Sequence, residues 1–354
     1  MDIIAAIFKQ SFIEGKITLA DYEIPTVSTV LSRRDKWEHF KARISSFRNR
    51  FMVIPGLYAV GTPDSESEVF ISANYQMSFN YLRQALNGTN SLILVLDTKG
   101  INVWCAAGKG TFGTAEIIKR IRSHNLPNIV RHRRIIAPQL GAPGISCSEV
   151  KNYTGFRIYY GPVRAEDIPK FIAQNLKADD EMRRIKFTFF DRLILTPMEI
   201  NPALKKYPYL AIIFFILFGL TPEGIIFKKA FYDGLPFYIG GLSAIFTGAF
   251  LTPLLLPFIP GRAFAVKGTL VGLAVFIPLT QFPAILQFNG QLEKSAFIIF
   301  FTSLSSFLAT QFTGSTVYTH LSGVKKELKI ALPIYIIGVI ISVGLIIFSK
   351  FVNL

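Results

Sequence analysis

Two patterns of apolar residues divide the chain near residue 200. Before that point, apolar stretches are short and bounded by charged or turn-forming residues. After Tyr207 they lengthen into runs such as 209–220 and 330–348. In the first part, Leu92-Ile-Leu-Val-Leu96 is apolar at every position, which predicts a strand buried on both faces of a parallel sheet. Further strands are expected at 69–72, 135–137 and 156–160, and helices at 79–86, 115–123 and 166–175. Thr114 suits an N-cap, Glu116 a first helical turn, and Pro127 follows the end of that helix. Glu166 and Asp167 favour another helix start. This alternation predicts a Rossmann-like α/β domain over 51–180, preceded by a basic arm (1–50) and followed by a basic linker (181–206).

The second part, 207–354, reads as an all-α transmembrane domain. A spanning helix needs about 20 apolar residues, and five segments qualify: 207–227, 235–259, 267–288, 295–317 and 330–349. Pro253, Pro257, Pro278 and Pro283 predict kinks that neighbouring helices can accommodate. Lys205, Lys206, Arg262, Lys267, Lys325, Lys326 and Lys329 fall on one side of a five-span topology. That side is expected to be cytosolic, with the α/β domain on it and the C-terminus outside, although Lys228 and Lys229 lie opposite. Glu223, beside Pro222 and Gly224, suits an interfacial turn better than a substrate relay. Gly240-Gly241, Gly248 and the Ser303, Ser305, Ser306 cluster predict close helix packing. The bundle is read as an anchor in the cytoplasmic membrane.

Charge refines this picture. The net charge of +15 is concentrated at residues 33–50 and 183–206, the latter just before the apolar half. That placement favours an anionic lipid surface, and no nucleic-acid motif accompanies it. Two cysteines, Cys105 and Cys147, form neither a CxxC pair nor a disulfide framework. Two thiols alone cannot assemble an iron–sulfur cluster, so none is expected within this chain. The apolar start at 1–8 carries Asp2 and lacks a small-residue cleavage site, unlike a signal peptide.

Ligands of such α/β domains bind at the carboxyl ends of the strands. Attention therefore falls on residues 97–114, directly after the most apolar strand. Gly108-Lys-Gly-Thr-Phe-Gly113 fits G-x-G-x-x-G and opens a helix, which keeps a dinucleotide site open. However, some ten residues separate it from Leu96, and Arg131, Arg133 and Arg134 stand where a ribose-binding acid belongs. A P-loop fails, since Gly110 follows Lys109 and Val103 replaces the first glycine. His39, His124, His132 and His320 lack metal-ligand spacing, and the common corrinoid motif D-x-H-x-x-G is absent. Cys105 is either a small buried hydrophobe or a functional thiol. Ala106, Ala107 and Gly108 would let a flat ligand approach it, and a helix start beside Lys109 would favour thiolate. Trp104 is equally consistent with a core residue, and Cys147 with a structural one.

The run Asn102-Val-Trp-Cys-Ala-Ala-Gly-Lys-Gly-Thr-Phe-Gly-Thr114 closely resembles the cap-helix motif of the mercury-methylating corrinoid proteins of anaerobic microbes. The likeness continues through Pro55-Gly-Leu-Tyr-Ala-Val-Gly61, Ala73-Asn-Tyr75, Leu96-Asp-Thr-Lys-Gly100, Pro138-Gln-Leu-Gly-Ala-Pro-Gly144 and Tyr160-Gly-Pro-Val-Arg164. It implies a corrinoid methyltransferase acting on mercury(II), with Cys105 as the lower axial ligand of cobalt. It further implies a two-cluster [4Fe–4S] ferredoxin as electron donor and a methyl-folate-type methyl donor. Asn102, Val103, Trp104, Ala106, Ala107, Gly108, Lys109, Gly110, Thr111, Gly113 and Thr114 are then candidates for holding the cofactor, with Gln139, Gly141 and Gly144 contacting its tail. A methyl carrier for another acceptor, an NAD(P) oxidoreductase using the glycine run, and a non-catalytic partner-binding membrane protein are the alternatives.

Overall fold

The computed structural model describes residues 3–221, 224–315 and 321–352; Pro222, Glu223 and His320 lie outside the described residues. Two compact units, Met1–Ile185 and Lys186–Leu354, make up the chain.

The first unit begins with α1 (Ile3–Phe8) and a hairpin of β1 (Ile13–Leu19) and β2 (Tyr22–Val27). Ala20 and Asp21 close the hairpin with φ of 48° and 66°, the left-handed pair that matches the twist of the strands. α2 (Arg33–Ile44) follows, started by a reciprocal Ser32–Asp35 capping box. Then come β3 (Gly56–Val60), β4 (Val69–Ala73), α3 (Gln76–Ala85), β5 (Ser91–Leu96), α4 (Val103–Gly108), α5 (Thr114–Ser123), α6 (Leu126–Ile129), β6 (Arg134–Ala137), α7 (Cys147–Thr154), β7 (Arg157–Tyr160) and α8 (Ile168–Ala173). The seven strands form one sheet in the order β1-β2-β3-β5-β4-β6-β7.

The segment expected as a basic arm is folded, residues 3–50 carrying α1, the hairpin and α2. Their hairpin extends the sheet, and α2 docks through a buried salt bridge from Asp35 to Arg83 of α3 (3.0 Å). Arg33, Arg34 and Lys36 face outward, so the basic composition reports the outer surface of a folded element. The sheet is mixed. β5, β4, β6 and β7 are parallel, while β3 runs antiparallel to β5. β5 is buried on both faces as its composition demands. Leu92, Leu94 and Leu96 pack with Ile117 and Ile121 of α5, and Ile93 and Val95 with Phe79 and Leu82 of α3. Two-sided burial does not reveal the direction of a neighbouring strand, hence the difference. The helix expected at 166–175 is a 3₁₀ turn, Ala165–Asp167, leading into α8. Asn175 and Leu176 have φ of 53° and 61°, which ends it.

The second unit contains α9 (Phe189–Leu195), α10 (Pro197–Gly219), the short strands β8 (Leu220–Thr221) and β9 (Gly224–Ile225), α11 (Phe227–Phe246), α12 (Thr252–Leu255), α13 (Phe264–Leu279), α14 (Gln291–Gln311) and α15 (Leu321–Val352). A π-helical turn, Thr247–Leu251, joins α11 to α12. Among the described residues four stretches are long and apolar enough to cross a membrane: Phe189–Gly219, Phe227–Leu255, Gln291–Gln311 and Gly323–Phe351. The first begins upstream of residue 207, so much of the segment read as a linker is helix. The expected span at 267–288 is the 16-residue α13, which stops at Leu279 just after Pro278. α14 is central. A Cβ on Gly240 would lie 2.3 Å from the ring of Phe301, one on Gly248 2.3 Å from the Ser305 carbonyl, and one on Gly268 2.7 Å from the Ser306 α-carbon. Gly248, as the sequence predicts, and Gly268 thus admit α14 at backbone distance, while Gly240 makes room for an aromatic ring.

Candidate functional site

The chain crosses the carboxyl edge of the sheet after β5, and two side chains, Asn74 above all, fix that crossing. Buried Asn74, directly after β4, accepts hydrogen bonds on Oδ1 from the Thr98 amide (3.1 Å), the Thr98 hydroxyl (2.8 Å) and the Gly100 amide (2.9 Å). Glu116 of α5 accepts from the Asp97 amide at 2.9 Å. Lys99 and Gly100 turn the chain with φ of 58° and 72°. This clamp delivers Asn102 as the N-cap of α4, where its Oδ1 accepts from the Cys105 amide at 2.9 Å.

α4 ends as firmly as it begins. The Ala106 carbonyl accepts from the amides of Lys109, Thr111 and Phe112, and the Ala107 carbonyl from that of Gly110. Gly110 makes this knot at φ 78°. Phe112 is fully buried. A Cβ on Gly141 would meet its ring at 2.4 Å, and one on Gly144 would meet the Phe112 carbonyl at 2.2 Å and the Ala107 α-carbon at 3.1 Å. The 3₁₀ turn Gln139–Gly144 therefore underlies α4 as a packing surface.

Cys105 is a free, half-buried thiol on this short helix, while Ala106 and Ala107 beside it are buried. A cavity of about 320 Å³ opens beside the start of α4, lined by Ser72, Tyr81, Asn102, Val103, Trp104 and Pro138 among others. It lies between the carboxyl ends of β4 and β6. There the chain leaves β4 for β5 on one side and returns to β6 on the other, the switch point at which open α/β sheets bind ligands.

The predicted residues thus separate by role. Asn102, Val103 and Trp104 line the cavity, with Cys105 following them on α4. Gly108, Lys109 and Gly110 are exposed. Gly113, Gly141 and Gly144 serve close packing. Thr111 lies half-buried with its hydroxyl 3.4 Å from the Ala106 carbonyl, and Gln139 accepts a hydrogen bond from Arg183 at 3.2 Å. Thr114 is not the N-cap: Gly113 holds that place, and the Thr114 hydroxyl instead accepts from the Ser146 amide at 2.8 Å. The amides of 109–112 point back into α4, so the glycine run presents no cradle for a pyrophosphate. Cys147 lies at the start of α7, its Sγ 3.3 Å from the Tyr160 hydroxyl. Burial, and then the neighbouring thiol, push that phenol above its usual range. Among the described residues no group of three or more His, Cys, Asp or Glu side chains is placed to hold a metal ion. Sequence reasoning met Asn74 and Phe112 only within longer motifs and Glu116 only as a first-turn acid; their roles exist only once β4, β5 and α5 are brought side by side.

A family model described as CO dehydrogenase/acetyl-CoA synthase delta subunit matches residues 47–172, within the first unit. The chain is 26% identical over 183 residues to the corrinoid/iron-sulfur protein large subunit of Moorella thermoacetica, covering 49% of this chain and 41% of that protein. It is 28% identical over 123 residues to the acetyl-CoA decarbonylase/synthase complex subunit gamma of Methanopyrus kandleri, covering 34% and 26% respectively. Subunit gamma 2 of the corresponding complex of Methanosarcina thermophila is 29% identical over 124 residues, with the same coverage. The chain spans less than half the length of each of these relatives. The N-terminal unit shares low-identity homology with the large subunit of corrinoid/iron-sulfur proteins.

Proposed function

We propose that the N-terminal unit binds a corrinoid at α4, where Cys105 would supply the ligand to cobalt, and passes a methyl group to mercury(II) to give methylmercury. The observation that carries this reading is the placement of Cys105: a free, half-buried thiol on a rigidly capped helix at the carboxyl edge of the sheet. The surroundings fit a flat macrocycle. Ala106, Ala107 and Gly108 offer no large side chain, and a Cβ built on Gly108 meets nothing within 4 Å. A soft sulfur donor suits a transition metal. When bound, a corrinoid would supply a transferable methyl group, and a sulfur donor from Cys105, stronger than imidazole, would favour its passage to a soft acceptor. The protein's share of the work is orientation. Asn102 fixes the first turn of α4, Asn74 fixes the loop before it, and Phe112 supports it from beneath. The cavity beside Trp104 offers room for the cofactor's peripheral groups.

In this reading a methyl-folate-type donor reloads the site. A separate two-cluster [4Fe–4S] ferredoxin supplies electrons, and the helical unit anchors the chain in the cytoplasmic membrane with the corrinoid unit in the cytosol. A methyl carrier serving another acceptor is the second reading, favoured by the acetyl-CoA decarbonylase/synthase names of the relatives. The test is purification of the full chain with bound corrinoid, X-ray absorption at cobalt, and methylmercury assay of wild type, Cys105→Ala and Cys105→His. A cobalt–sulfur bond and loss of methylmercury in both variants are expected. Corrinoid binding without that bond refutes the ligand assignment. A cobalt–sulfur bond without methylmercury, but with methyl transfer elsewhere, selects the second reading.

A further inference from the structure

The helical unit holds a groove that the proposed chemistry does not use. α13 and α15 run in the same direction on either side of α14. The Ala265 amide donates to Glu327, and further along Thr269 and Tyr335 both reach Ser306 of α14 (3.1 and 2.8 Å). Between them lies a cavity of about 720 Å³, within the range of sites that enclose a small ligand. Its long walls are apolar, formed by Val266, Leu270, Ile330 and Ile334. Its mouth is cationic, with exposed Arg262 in the turn before α13 and exposed Lys326 on α15.

Glu327 lines the same groove and offsets part of that charge, leaving the cations in excess. Its carboxylate is held against the N-terminus of α13 by the Ala265 amide, where the helix dipole favours an anion. Among the described residues neither Arg262 nor Lys326 is paired with a carboxylate. Exposed Lys325 and Lys329 strengthen the field at the same end of α15. An apolar trough roofed by two cations at one end of a bundle is complementary to one class of molecule, an anionic phospholipid.

We infer that this groove is a binding site for an anionic phospholipid, the acyl chains lying between α13 and α15 and the phosphate between Arg262 and Lys326. Zwitterionic lipids would enter the same trough without that gain, since their headgroup carries its own cation. The inference rests on the reading of the four long apolar helices, and of the shorter apolar α13 packed among them, as membrane-embedded and is independent of the corrinoid chemistry.

The full chain, extracted in mild detergent, is to be titrated with phosphatidylglycerol and with phosphatidylcholine of identical acyl chains and examined by native mass spectrometry. Wild type should retain phosphatidylglycerol preferentially. Each basic residue near a lipid headgroup is worth about a fivefold change in affinity, so Arg262→Gln with Lys326→Gln should lower the preference about twenty-five-fold. Lys228→Gln with Lys229→Gln, which alters the same charge elsewhere, should leave it unchanged. Equal retention of the two lipids, an undiminished preference in the first double variant, or a second copy of the chain crosslinking through Leu270→Cys in the groove would overturn the assignment. A chain that stays soluble without detergent would overturn the membrane reading beneath it.

Discussion

The sharpest test of how the candidate site is built lies at Asn74, which touches neither Cys105 nor the cavity. Asn74→Ala removes one acceptor that serves two backbone amides and a hydroxyl, all in the loop leading into α4. Thr98 can turn its hydroxyl fully to the Ile101 carbonyl at 2.7 Å, so the loss falls on the amides of Thr98 and Gly100. Leaving a buried donor unsatisfied costs about 1–3 kcal/mol, so the pair costs about 2–4 kcal/mol after partial hydration. Asn74→Asp keeps an acceptor of the same shape and should restore most of it. Because the bonds are confined to the loop, the loss should appear as local opening. Hydrogen exchange followed by mass spectrometry should show peptides over residues 97–105 exchanging at least about thirtyfold faster, the equivalent of about 2 kcal/mol. Peptides from β5 should be unchanged. Uniform acceleration across β5 and α3 would show that Asn74 supports the whole sheet, and no acceleration would show that the clamp is idle. Either result refutes the claim that the loop after β5 is positioned by this side chain.

Asn102→Ala should cost α4 about 1 kcal/mol through loss of its cap, seen as faster exchange at residues 105–107, and Asn102→Ser should preserve protection. Arg83→Met strands the Asp35 carboxylate in the interior and should destabilise the N-terminal unit by about 3 kcal/mol, lowering its thermal midpoint by about 10 °C. Burial pushes the Asp35 carboxyl up, but hydrogen bonds from Ser32 and the Arg83 charge outweigh it and hold it below the usual range. Its contribution is therefore complete above about pH 4 and lost as acid titrates the folded form, so the difference in melting temperature between wild type and Asp35→Asn should shrink on acidification below that pH. Gly108→Ala should leave folding untouched, whereas Gly144→Ala should disrupt α4, because its Cβ has only backbone to meet. Circular dichroism and thermal melts of the two variants decide this.

Legibility in the sequence followed the kind of signal. Leu92 to Leu96 advertised a two-sided strand, and Ile117 and Ile121 gave α5 its buried stripe; both are local patterns that burial imposes directly. The hairpin at residues 13–27 was hidden because β1 alternates half-buried and exposed positions with charged residues among them, which reads as a solvated segment. The orientation of β3 was equally invisible, since an apolar strand packs as well beside an antiparallel neighbour as beside a parallel one. The candidate site was located by its place after β5 and by its motif. The division within it, between residues that face open space and residues that seat Phe112, required the turn Gln139–Gly144 to be seen beneath α4. In the helical half, hydropathy counted apolar positions but did not register that the helix ends at Leu279, just beyond Pro278, leaving α13 short.

That division bears on why such a short helix can carry the site. Six isolated residues do not hold a helical conformation in water, because nucleation costs more than one turn of hydrogen bonds returns. α4 is held instead by contacts with the rest of the fold: Asn102 at its start, the Ala106 carbonyl gathering the following amides at its end, and the Gly141 and Gly144 backbone packed against Phe112 beneath it. Each contact falls on the buried side or at a terminus, and none engages the Cys105 sulfur. Rigidity is thus supplied without covering the thiol, and the free energy that orders α4 is provided by folding before any ligand arrives. In the proposed reading, a donor atom fixed in this way would lose little conformational freedom on forming a bond to a metal, so a single thiol could serve as the ligand.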